Sequence, residues 1–242
     1  MKKLLVLTSA LLLMGASIAS AAAPGANLGW TNCGLTATSS NIALACDDNT
    51  LTRNLIVSFR VPNAVSDFVG VSTVIDVAVA GGALPAYWQL GAGQCREGSV
   101  ALGTVGTLGG CTNTYSGANQ AGGYVFDSSQ GPNRIRFRAD WVRDTGGALV
   151  ANTLYSGLVL GISTVGAFDE GFGSCAGCST PACFVLNGFE AFSLLGGSLG
   201  NYGADVRNWA TYQGGIPGPG GECPGVTPTR SNTWGGVKAL YR

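Results

Sequence analysis

An all-β domain of sandwich or jelly-roll type, stapled by disulfides, is what this sequence predicts. Apolar residues recur with period two over most of the chain, as they do in strands with one face buried. Clusters of Gly, Pro, Asn and Asp punctuate these runs, and no long amphipathic helix pattern interrupts them. Eight cysteines stand in a 242-residue chain that has no histidine and opens with an export signal. That combination points to an oxidising compartment.

The signal comes first. Lys2 and Lys3 give a positive start, Leu4 to Met14 an apolar stretch, and Ala19-Ser20-Ala21 a small-x-small cleavage site. Residues 1–21 therefore read as a signal peptide, with the mature chain starting at Ala22 or Ala23 because cleavage directly before Pro24 is disfavoured. The apolar stretch is shorter than the about 20 residues needed to cross a bilayer. No cysteine follows the cleavage region, which argues against a lipoprotein. The expected location is extracellular or at the cell surface, with no membrane span after cleavage.

Removing Lys2 and Lys3 from the 13 basic residues leaves 11 against 13 acidic ones, a net charge of −2. This gives no electrostatic footprint for nucleic acid or an anionic membrane. Only 11% of residues are charged and 39 are glycine, so Ser, Thr, Asn, Gln and Gly must cover the surface. The missing histidine removes the commonest general base and metal ligand.

Along the chain, Asn54 to Val61 reads as a buried strand. Val69 to Ala80 reads as a longer one, with Val69, Val71, Thr73, Ile75, Val77 and Val79 on one face. Ala86 to Leu90, Tyr124 to Asp127, Arg134 to Arg143, Leu154 to Ser163 and Cys183 to Leu194 are further candidates, with a short helix as the alternative for Phe189 to Leu195. Turn signals at Gly81-Gly82, Gly109-Gly110, Gly131-Pro132-Asn133 and Asp144 to Gly147 separate them. Residues 22–213 make one domain. Residues 214–242 differ, with Pro217, Pro219, Pro224 and Pro228 among glycines before the ending Thr233 to Arg242. That ending is expected to dock Trp234, Leu240 and Tyr241 on the domain, or else to serve as a sorting signal.

All eight cysteines, Cys33, Cys46, Cys95, Cys111, Cys175, Cys178, Cys183 and Cys223, are disulfide candidates. Proximity suggests Cys33 with Cys46, Cys95 with Cys111, one local bridge within 175–183, and one reaching Cys223. Eight cysteines allow 105 pairings, so proximity is a guide only. Loops of this size would each stabilise by about 3 kcal/mol in the chain-entropy model. A four-thiolate zinc site lacks a second closely spaced pair. A redox Cys175-Ala176-Gly177-Cys178 lacks the helix start that lowers a thiol pKa, since Ser179-Thr180-Pro181 follows.

Asp47 and Asp48 offer oxygen ligands of the kind calcium takes, without an EF-hand pattern. No other cofactor is expected. A glycan hydrolase would need two converging carboxylates, with Asp76, Asp127, Asp140 and Glu190 available. Asp76 and Asp140 lie on strands whose other face is apolar, which predicts solvent exposure. Arg134, Arg136 and Arg138 form an outward stripe opposite Ile135, Phe137 and Ala139, able to meet an anionic or sugar ligand through forked donors. Trp88, Trp209 and Tyr212 combine aromatics with neighbouring amides, as sugar-stacking sites do, although cores use the same residues.

The runs Leu84 to Gln89 and Gln94-Cys95-Arg96, the Cys175 to Cys178 turn with Pro181 and Cys183, and the ending Thr233 to Arg242 resemble a group of uncharacterised secreted bacterial proteins. The resemblance implies export and a single cysteine-stapled unit, and no activity. The expected function is a non-catalytic structural or adhesive module that self-associates through sheet edges or its terminal segment. A carbohydrate-binding module for cell-surface glycan is the alternative, with a carboxylate-dependent glycan hydrolase behind it.

Overall fold

The computed structural model describes residues 25–33, 39–103, 110–168 and 173–215. They build two sheets, packed face to face, from twelve strands: β1 (Gly25–Trp30), β2 (Asn41–Ile42), β3 (Thr52–Arg60), β4 (Val65–Val79), β5 (Val100–Gly103), β6 (Thr112–Asn113), β7 (Gln120–Asp127), β8 (Arg134–Leu149), β9 (Tyr155–Ser163), β10 (Ala182–Ser193), β11 (Gly197–Asn201) and β12 (Trp209–Tyr212). The smaller sheet runs β1-β3-β9-β5, with β6 added on β9; the larger runs β2-β12-β10-β4-β8-β7, with β11 added on β10. The fold is the expected all-β sandwich.

Inward residues of both sheets form one core. Trp30 meets Phe184 edge-on at 5.2 Å, and Phe59 meets Phe68 at 5.7 Å and Phe189 at 5.0 Å across the interlayer space. Such aromatic pairs add to the area they remove from water. The long strands predicted from periodicity are present, with ends shifted by a few residues. On β4, register shifts between Val65 and Gly70 turn Phe68 inward, so the inward face begins at Phe68 instead of Val69. From Val71 to Val79 the alternation follows the expected face.

Two expectations are corrected. Ala86 to Trp88 is a 3₁₀ turn opened by Pro85, not a strand, and it drives Tyr87 and Trp88 into the core. Phe189 to Ser193 continues β10 as a strand, with residues 194–196 forming the turn to β11.

The disulfides also depart from proximity. Cys33 joins Cys111, Cys46 joins Cys178 and Cys95 joins Cys175, at sequence separations of 78, 132 and 80. In the chain-entropy model, loops of this length stabilise by about 4.5 to 5 kcal/mol each instead of about 3. Local pairing fails because the fold brings each cysteine against one 78 to 132 residues away in sequence instead of its chain neighbour. Cys183 is also disulfide-bonded, while Cys223 and the whole segment from 216 onwards lie outside the described residues, as does the signal segment.

The Cys33–Cys111 bridge packs with Leu154 over Ile56 and Val159, so the smaller sheet is buried on both faces. This is why Leu55 to Phe59 on β3 are all buried. Beside the Cys95–Cys175 bridge, Arg96 is 1% exposed. Its guanidinium stacks 3.8 Å from the Tyr87 ring and donates to the carbonyls of Tyr87, Val165 and Ser163. Burial lowers its pKa, partly offset by the neighbouring tyrosines. This arginine ties the β4–β5 connection to the end of β9 and the chain just after it, as a structural cation.

Candidate interaction surface

The outer face and free edge of the larger sheet hold what the fold leaves available. Antiparallel register aligns Trp209, Val185, Asp76, Arg136 and Asp127 in one row across β12, β10, β4, β8 and β7. Asp76 is fully buried at 0% exposure, contrary to the expectation of a solvated carboxylate. Arg136 grips it through Nε at 2.6 Å and an Nη at 2.9 Å, and Arg134 stands at 3.7 Å. Donating to the Asp76 carboxylate holds the Arg136 guanidinium above its usual pKa. Two arginines of the expected ligand stripe are thus spent on a structural ion pair. Arg138 alone of the three is exposed.

The aromatic trio divides in the same way. Trp88 and Tyr212 are core residues, 1% and 2% exposed, stacked edge-on at 5.0 Å. Neither offers a ring face to a ligand. The Tyr212 hydroxyl lies 3.1 Å from Cys178 Sγ, and burial first of all pushes its pKa up. Trp209 is half-buried on the outer face, with the Arg207 guanidinium 5.4 Å over its ring.

Asp140 and Glu190 share a second row on this face, with Ser72 between them. Two strand spacings put their backbones about 10 Å apart. A glycosidase acid needs a carboxyl kept protonated in a sheltered cleft, and Asp140 is exposed on an open sheet. Asp127 accepts from Ser129 N and Oγ and from Gln130, and Asp48 accepts from Thr50 N and Oγ1. These bonds hold both carboxyls below the usual range, with the hydroxyl bond as the largest cause. Asp48 therefore closes its own turn, and Asp47 beside it is exposed. Among the described residues, no three metal-ligating side chains converge.

The feature with no counterpart in the periodicity is the edge itself. Strand β7 spans eight residues but among the described residues pairs only with β8. Ala121, Gly122, Gly123 and Val125 are exposed, Val125 at 60%. The bond from Asp144 N to Asn119 O, in register with the ladder, turns the backbone groups of odd-numbered residues toward β8. Alternation then turns those of Gly122, Tyr124 and Phe126 away from it, toward the free edge. Among the described residues no backbone bonds to them from that side. The sequence shows only Tyr124 to Asp127 as a strand, because two glycines weaken the signal before it. Gly122 is required, since a Cβ there would collide with the Trp141 ring lying across it.

Compared with family models, curated proteins and solved structures, the chain matches none. No helix among the described residues is long and apolar enough to cross a membrane, and the disulfides agree with an oxidising, extracellular setting.

Proposed function

We propose that this protein is a secreted, non-catalytic structural or adhesive module that associates by strand addition at the β7 edge. The observation that carries this reading is the open row of backbone groups on Gly122, Tyr124 and Phe126. An open edge is a template for another strand, and soluble proteins usually blunt one with charge, proline or a bulge. Here Gln120 to Phe126 contains no charged residue and no proline, and its pairing with β8 is free of register shifts. The test is sedimentation of the oxidised protein over a range of concentrations. Concentration-dependent association that Val125→Lys abolishes supports the reading; a monomer throughout refutes it.

Trp209 favours a second reading, a carbohydrate-binding face. It is the one member of the aromatic trio outside the core, half-buried on the outer face of the larger sheet. Retention on polysaccharide that Trp209→Ala removes without unfolding would support it.

A further inference from the structure

Resting on the strand-addition reading, we propose that the strand added to β7 is β7 of a second copy, antiparallel, about a two-fold axis through Gly123. Three properties of the edge select this partner and register. First, a continuous sheet keeps outward residues opposite outward ones, so residues of one parity must face their own parity. Even-numbered positions carry the free backbone groups, and they must meet even-numbered positions to form bonds. Centring on Gly123 satisfies both conditions and overlaps residues 120–126 of each strand completely. Gly122 then exchanges bonds with Tyr124 of the second copy, and the reverse.

Second, the side chains fit themselves. On the outer face Ala121 meets Val125 of the second copy, and Ala121 already lies beside Val142. The exposed Val125 and Val142, at 60% and 43%, thereby fall into one apolar row spanning the seam. On the inner face, Gly122 meets Tyr124 of the second copy, which extends the row begun by Trp141 over Gly122. Small residues face large ones in both rows, as an isologous contact requires. Third, residues 120–126 hold no charge that a symmetric seam would set against itself.

Gly123 on the axis is the probe. A Cβ there meets nothing within 4 Å, and its φ is not positive, so the strand accepts a side chain. The two Gly123 Cα atoms form a non-hydrogen-bonded pair, about 4.5 Å apart, within disulfide reach. The oxidised Gly123→Cys protein should double in mass, and peptide mapping should find the two introduced thiols joined to each other. Gly81→Cys, equally open and off the edge, should stay monomeric.

An added thiol can divert oxidative folding, so the same register is tested by charge. Gly123→Lys and Gly123→Glu should each be monomeric alone, and should pair when mixed, with the pairing weakened by salt. Wild-type association that Val125→Lys abolishes, without Gly123 cross-linking or charge rescue, overturns the second copy in this register and leaves the edge reading standing. Wild-type protein that stays monomeric and retains polysaccharide through Trp209 overturns both.

Discussion

The two sheets finish their outermost long strands in opposite ways. At β1, the segment 203–207 supplies the missing neighbour. Ala26 N donates to Gly203 O and Leu28 N to Arg207 O, both at 2.8 Å, while Asp205 N donates back to Ala26 O. The Asn27 carboxamide accepts from Val206 N and Arg207 N and donates to Asp205, which also pairs with Arg60. All six residues of β1 are buried as a result. At β7 the comparable groups face outward, and Gln120 to Gly123 at its start are all exposed. The same fold holds a saturated edge and an open one, so openness at β7 is not a consequence of being an edge. It is a difference in what the described residues supply beside it.

The strongest way to break this comparison is to open the closed edge. Asp205→Ala leaves Arg60 without its carboxylate and Asn27 without an acceptor, with the Asp205 side chain 1% and the Arg60 side chain 13% exposed. Losing one partner of a buried pair costs about 3 kcal/mol or more. Denaturant unfolding should read a drop of that size, together with new association that Val125→Lys does not remove. A milder route acts on the backbone. A Cβ on Gly25 would lie 2.5 Å from the Asp205 nitrogen and 2.8 Å from its Cα. Gly25→Ala must therefore lift the strap, costing about 1–3 kcal/mol as other overpacked sites do. Hydrogen exchange at Ala26 and Leu28 should accelerate. Unchanged exchange there would mean that the strap adapts without releasing the edge.

The contrast also marks what the sequence could and could not tell. Central strands β3, β4, β8, β9 and β10 were legible because burial on one or both faces imposes an apolar pattern on their residues. β1 and the first half of β7 were not, since Gly25, Gly29, Gly122 and Gly123 erase that pattern. Asp76 reads as a surface carboxylate in its own strand, and is neutralised by an arginine 60 residues away. Trp88 and Tyr212 have the composition of a sugar platform and the location of a core. Disulfide pairing escaped for a related reason, because Cys46 and Cys178 stand 132 residues apart in the chain. In each case the missing information is a partner distant in sequence.

The smallest effect is expected at the end of β7, in the turn that leads toward β8. Asp127 takes bonds from Ser129 N at 2.9 Å and from the Ser129 hydroxyl and Gln130. Those bonds lower its pKa, the hydroxyl bond most, with Arg138 a smaller contributor. A carboxyl depressed by folding stabilises above its unfolded pKa of about 3.9, and that contribution is lost as pH falls through the folded value. Protection of the Ser129 amide, relative to its intrinsic exchange rate, should therefore fall below about pH 4 while the global unfolding midpoint barely follows, because the group is exposed and screened. Asp127→Asn keeps a carbonyl acceptor and removes the titration, so its Ser129 protection should be flat across the same range. If protection at Ala26 fell in step with Ser129, the two edges would be opening as one unit. A fall confined to Ser129 and its neighbours would make β7 the separately yielding edge, ordered locally and left for a partner to complete.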